Sequence, residues 1–207
     1  DADQIFVDGK RVSSRHGSDR GRHRYLLYNK AENEICSKKD PQRRATVFDK
    51  LPPLKHGRWI SVGRLDFNTT GLLLFTTDGD VANLLTHPSS MIEREYAVRV
   101  MGTVEPSMIK SMHEGVRIDN EIYRFTDIQY FGGDGLNRWY HVVVMTGRNR
   151  EVRKLWESQG VKVSRLKRVR FGPIFMPSKL KRGQYQELSP KEVEKLLKLI
   201  KSKDVFK

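Results

Sequence analysis

Apolar and polar positions along this chain fall into short blocks, and the blocks predict strands more often than helices. Residues 25–28 (Tyr-Leu-Leu-Tyr), 59–62 and 72–75 are short apolar runs of strand length. The third, Leu72-Leu73-Leu74-Phe75, is unbroken and bounded by glycines, which is how a strand covered on both faces reads. Residues 93–100 alternate, with Arg94, Tyr96, Val98 and Val100 on one face. Residues 122–131 and 137–146 flank Gly132-Gly133-Asp134-Gly135, a glycine-rich hairpin connection. The second of them is apolar on both faces (Trp139, Tyr140, Val142, Val143, Val144, Met145) and is expected to be central. Residues 163–171 form a basic strand and 185–188 a short one.

Helical spacing is rarer. A short helix is predicted over 46–51, stopped by Pro52-Pro53, with others over 80–86 and 105–114. Between Gly147 and Gly160 a helix carries Val152, Leu155 and Trp156 as its buried stripe. A last helix starts at Ser189-Pro190 with Val193, Leu196, Leu197 and Ile200 inward. Ahead of these, residues 5–12 give a hairpin signal around Asp8-Gly9, and 13–24 are polar, basic and aperiodic, as in a linker. Many strands with hairpin joins and a few helices predict an α+β domain on a largely antiparallel sheet, starting near Tyr25.

Composition agrees with a folded domain: 207 residues, 37% hydrophobic, with no apolar run near the roughly 20 residues of a membrane span. The single cysteine, Cys36, excludes an internal disulfide and fits a reducing compartment. Charge adds more. The 39 Lys and Arg against 25 Asp and Glu leave +14, with a pI near 10. Residues 147–170 alone hold nine basic side chains against two acidic ones, a local +7 interleaved with aromatic and apolar positions. A field that concentrated favours a polyanion, and nucleic acid is the expected partner.

Candidate chemistry is narrowed by elimination. The six histidines show no ligand spacing, and one cysteine makes no ordinary zinc site. Asp78 and Asp80 read as a turn and a helix N-terminal carboxylate rather than a Mg²⁺ pair. No Walker-type phosphate loop and no nucleophile elbow is present. What remains is Asp66, followed by Asn68, Thr69 and Thr70, whose side chains are expected to stiffen the loop by bonding nearby backbone. From the residues alone, Asp66 is as readily a structural acceptor as a catalyst.

A resemblance adds to this. Gly63-Arg64-Leu65-Asp66, followed by Thr70-Gly71-Leu72-Leu73-Leu74-Phe75-Thr76 and Asp78-Gly79, resembles the signature of the ribosomal RNA pseudouridine synthases. Three further stretches match in order. They are Cys36-Ser37-Lys38-Lys39-Asp40 with Arg44, Thr46-Val47 and Leu51-Pro52; His87-Pro88 with Glu95-Tyr96-Ala97-Val98; and Gly147-Arg148-Asn149-Arg150-Glu151-Val152-Arg153-Lys154. Trp139-Tyr140 and the Arg-Asn-Arg-Glu-Val-Arg run are most similar to the members acting on the large subunit.

The resemblance implies a pseudouridine synthase fold with a central active-site cleft over residues 25–207. It implies that 1–24 are the remnant of an N-terminal S4-type RNA-binding domain plus a linker. It makes Asp66 the catalyst of uridine isomerisation, with Arg153 set against it; by spacing alone, Arg153 reads as a surface charge. Tyr96 would stack on the target uracil, Val152 would pack beside that tyrosine, and Arg64 would fill the space an extruded uridine leaves. Arg148, Arg150, Lys154, Arg165 and Lys167 would bind phosphate. The reaction needs neither redox chemistry nor external energy, so no cofactor and no metal are expected. The expected partner is ribosomal RNA, 23S ahead of 16S, met by a cytoplasmic monomer without membrane contact. The alternative is a non-catalytic RNA-binding or ribosome-assembly factor on the same fold.

Overall fold

The structure is a computed structural model; it describes residues 5–7, 10–12, 23–38 and 40–204. Strands β1 (Ile5–Val7) and β2 (Lys10–Val12) pair antiparallel, as the hairpin signal requires; its Asp8-Gly9 turn lies outside the described residues, as do Lys39 and most of the expected linker.

The two most apolar runs make adjacent, paired strands of the main sheet. Every residue of β3 (Tyr25–Lys30) and of β5 (Thr70–Thr76) is buried, and their side chains alternate between two cores. Leu26, Tyr28, Leu73 and Phe75 enter one; Tyr25, Leu27, Leu72 and Leu74 enter the other. A polar face would leave groups unsatisfied on either side, so an unbroken apolar run is what such a strand needs.

The remaining elements follow in chain order: β4 (Ile60–Val62), α1 (Gly79–Thr86), β6 (Arg94–Met101), α2 (Pro106–Glu114), β7 (Val116–Ile118), β8 (Glu121–Tyr123), β9 (Asp127–Asp134), β10 (Asn137–Val144), α3 (Glu151–Ser158), β11 (Lys162–Phe171), β12 (Ile174–Phe175), β13 (Tyr185–Glu187) and α4 (Pro190–Asp204). The sheet runs β13-β3-β5-β11-β6-β10-β9. Among the described strands only the β5–β11 pairing is parallel, so the expected largely antiparallel α+β sheet is what forms. Helices α2 and α3 supply Met112, Val152, Leu155 and Trp156 to the first core; α1 and α4 supply Val81, Leu85, Leu196 and Ile200 to the second. Among the described residues no helix is long and apolar enough to cross a membrane.

Two strands share one edge of β5. Thr70 and Gly71 pair with β11, whereas Leu74 to Thr76 pair with β4. The sheet forks between them. Gly71 (φ 103°) is where β5 and β11 touch; a Cβ there would collide with the Arg168 carbonyl.

Four local readings need correction. Residues 46–51 form no helix: the chain turns, the Thr46 N–H donates to the Asp49 carboxylate at 2.8 Å, and Val47 is buried in the core. Residues 122–131 are two strands, because β8 belongs to a separate hairpin with β7 turned at Asp119 (φ 50°) and Asn120 (φ 63°). Gly132, Gly133 and Asp134 extend β9, and the turn falls at Gly135-Leu136; β10 is second from the sheet edge rather than central.

Candidate functional site

A cleft of about 980 Å³ lies over the fork. Val62 of β4 and Leu166, Arg168 and Phe171 of β11 line it, together with Tyr96 of β6, Val152 of α3 and the loop 63–69 that carries Asp66. The expected residues Arg64, Asp66, Tyr96, Arg148, Arg150 and Val152 therefore meet in one place.

The loop is stiff for a reason the sequence reading missed. Lys30, at the end of β3, is fully buried, and its ammonium donates to the carbonyls of Ala31 (3.0 Å), Phe67 (3.4 Å) and Thr69 (2.9 Å). The Arg153 guanidinium, also buried, donates to the Asn68 carbonyl at 2.9 Å and to that of Val163 at 3.4 Å. Three consecutive carbonyls are thus gripped by two buried cations. Cys36 Sγ completes the hold, accepting from Leu65 N–H (3.4 Å) and donating to its carbonyl (3.3 Å). Thr70 Oγ1 reaches Leu166 O, but the Thr69 hydroxyl has no partner among the described residues, so the polar side chains of the loop are not its main fastening.

Both cations feel their burial. It pulls the Lys30 and Arg153 pKa values below the ordinary ones, against the pull of nearby acids that include Asp66. Arg153 is no surface charge. Among the described residues it makes no ion pair with Asp66 closer than 4 Å, and its direct work is on the backbone behind that carboxylate.

The floor of the cleft is cationic. Arg168 faces Tyr96 across the β11–β6 ladder. Its Nε donates to Leu72 O at 2.7 Å, beside the fork, and its buried Nη2 has no partner among the described residues. Arg94, two residues before Tyr96, donates to Ile92 O and Met145 O. Both guanidinium groups lie over the Phe171 ring, at 5.2 and 5.5 Å. Burial first, and the Arg168 charge second, lower the Arg94 pKa. Two buried like charges beside an open cleft suit an anion.

At the rim, the loop into α3 is shaped by the buried Glu151, which accepts from Thr146 Oγ1 (2.6 Å) and Arg148 N–H (3.1 Å). Gly147 (φ 69°) lies so close to Arg94 that a Cβ would meet its Nε at 2.8 Å. Arg148 donates to Ile122 O and lies 4.9 Å over the Tyr123 ring; Arg150, left-handed at the start of α3, sits 3.5 Å from Glu157. Lys154 is outside the lining and pairs with Asp119 at 2.8 Å. Arg165 and Lys167 alternate with the lining residues Leu166 and Arg168, so they stand on the opposite face of the sheet. Asp78 caps α1, accepting from Asp80 and Val81 N–H groups.

Lys30, Arg94 and Arg168 are the site residues that sequence reasoning did not single out. Each is a cation inside an otherwise apolar or alternating strand, and that is a usable signal: such a residue is buried only with partners or a task.

The model of the family described as RNA pseudouridylate synthase matches residues 24–158. Ribosomal large subunit pseudouridine synthase B of Pseudomonas aeruginosa is 56% identical over 193 residues, 93% of this chain and 50% of that protein. The protein of the same name from Escherichia coli strain K12 is 49% identical over 197 residues, 95% of this chain and 67% of that protein. A crystal structure of a pseudouridylate synthase superposes with a TM-score of 0.74 at 28% identity, covering 84% of this chain and 74% of that one. The chain spans about half the length of the relatives from P. aeruginosa and Vibrio cholerae.

Proposed function

This chain belongs to the RNA pseudouridylate synthase family, and we propose that it converts a uridine of large-subunit ribosomal RNA to pseudouridine, with Asp66 as the catalytic carboxylate. The observation that supports this most is the double grip of Lys30 and Arg153 on the loop holding Asp66, in a cleft that also holds Tyr96 and a cationic floor. A carboxylate that must act at one bond of a bound nucleotide gains from a fixed position, because its ordering is complete before substrate arrives.

The net reaction breaks the bond from C1′ to N1 of uracil and forms one from C1′ to C5. A proton leaves C5 and N1 takes one up, so nothing is oxidised or reduced. Asp66 acts in its ionised form, as nucleophile or base. Tyr96 stacks on the uracil, and Val152 packs against that ring. Arg64 occupies the gap left in the RNA when the uridine is extruded. Arg148 and Arg150 at the rim, with Arg94 and Arg168 below, hold the phosphates beside the extruded base. Arg153 is a positioning residue, and Lys154 lies just outside this set.

We read residues 1–24 as the end of an S4-type module that adds RNA contacts, and the protein as a cytoplasmic monomer working on 23S rather than 16S RNA. The decisive experiment is Asp66→Asn on a large-subunit ribosomal RNA fragment. Pseudouridine formation is abolished while RNA binding persists; turnover in the variant overturns the assignment. RNA binding by the unaltered protein with no modified base would instead mark a non-catalytic RNA-binding factor.

A further inference from the structure

The sheet face opposite the cleft is half covered. Helices α1 and α4 lie against the β3–β5 half, and among the described residues no helix packs on the outer half, made by β11, β6, β10 and β9. Its composition is unusual for a bare face. Arg165 of β11 stands directly opposite Arg99 of β6, and Arg99 directly opposite Trp139 of β10. One row across three strands therefore reads Arg, Arg, Trp. In the next row Lys167 is opposite Ala97, and Ala97 opposite His141.

Two like charges directly across a ladder destabilise it. Among the described residues, no carboxylate lies within 4 Å of the cationic groups of Arg99, Arg165 or Lys167. Arg99 donates to Ser164 Oγ at 2.9 Å and lies 5.9 Å over the Trp139 ring. Glu95, on the same face of β6, is taken up by Arg170 and His141, both at 2.8 Å. On the edge strand β9 of the same face sits Phe131, 62% exposed and stacked on His141 with ring centroids 4.1 Å apart. Aromatic rings and unpaired cations interleaved on an open sheet match the needs of single-stranded nucleic acid: a π-face for each base, a charge for each phosphate. A protein partner would need carboxylates at three separate points, whereas each nucleotide brings a phosphate and a base together.

We propose that this outer face is a second RNA-binding surface, which takes an unpaired stretch of the same RNA whose target uridine enters the cleft. It rests on the reading of the substrate as RNA, but not on the chemistry at Asp66. The strands β11 and β6 are common to both faces: Arg168 and Tyr96 point into the cleft, Arg165 and Arg99 away from it. RNA leaving the cleft over the sheet edge would then meet a surface ready for it, and Arg165 and Lys167 keep a phosphate-binding role on the other side of the sheet.

The test uses the full chain and two probes, a labelled single-stranded oligoribonucleotide and the ribosomal RNA fragment. Arg165→Glu replaces a repulsive cross-strand pair by an attractive one, so a purely structural role predicts only a rise in Tm. The proposal predicts that rise together with RNA binding weakened about tenfold and a salt dependence shallower by about 0.7 in log–log slope. Phe131→Ala, at an exposed position, weakens binding about fivefold or more with the slope unchanged. For both variants KM for the fragment rises while kcat at saturating RNA holds. Unchanged RNA affinity in both overturns the proposal, and so does unchanged affinity with an altered sedimentation coefficient, which would make the face a contact between copies of this chain. Failure of this inference leaves pseudouridine formation intact, whereas failure of the functional reading leaves the unaltered protein without product and the two variants still weakened in binding.

Discussion

Lys30 donates to the carbonyls of Phe67 and Thr69, and Arg153 takes the carbonyl of Asn68 between them. These residues stand 123 positions apart in the chain, on different elements, and close on one tripeptide beside Asp66.

Removing either cation should therefore cost both stability and rate. In Lys30→Met the stem packs as before but the acceptors of Phe67 and Thr69 lose their donor, at about 1–3 kcal/mol. Urea unfolding measures that loss. The same variant, and Arg153→Ala, should lower kcat more than they raise KM, with Arg153→Lys recovering part of the rate. A change in KM alone would mean that the grip serves binding rather than placement.

The unpaired Nη2 of Arg168, beside Arg94 and over Phe171, predicts an anion at the cleft floor. Inorganic phosphate should raise the Tm of the unaltered protein, and Arg168→Met should remove that rise. A phosphate effect of equal size in the variant would place the anion elsewhere.

Burial pushes the Cys36 thiol above its ordinary pKa. The thiolate is the reactive form, so alkylation by iodoacetamide at neutral pH should lag well behind a free cysteine and catch up only in alkaline solution. Bound RNA should slow it further, since Cys36 lines the cleft. Labelling followed by mass spectrometry reads both effects.

On the outer face, burial would raise the Glu95 pKa, but hydrogen bonds from Arg170 and His141 outweigh it and hold the carboxyl below its ordinary 4.5. A depressed folded value means stability that is present above the unfolded pKa and lost as pH falls through the folded one. The Tm advantage of the unaltered protein over Glu95→Gln should thus be full near neutrality and shrink below about pH 4.5. A gap that widens on acidification would reverse the assignment.

Much of the fold was legible because its signals are local. The apolar runs of β3 and β5, the alternation of β6 and the stripe Val152, Leu155 and Trp156 of α3 each follow from one strand or helix meeting one core. The misreadings arose where a neighbour decides. Pro52-Pro53 was a stop signal, but the segment before it turns because Asp49 caps Thr46 and Val47 seeks the core. Nothing in residues 122–131 announces that their first part pairs backwards with β7.

The site divides along the same line. By itself, the sequence determined that one carboxylate, Asp66, sits between glycines ahead of a buried strand, that basic residues concentrate over 147–170, and which family those motifs resemble. Only the tertiary structure decided what holds Asp66 and which cations share its cleft. Lys30 and Arg94 look like ordinary strand polar positions until the ladder buries them. Arg165 and Arg168 look alike until the pleat sends one to the cleft and the other to the far face. The physical reason is that a side chain's charge is written in its own residue, whereas its burial, its partner and the face it serves are properties of strands brought together from distant parts of the chain.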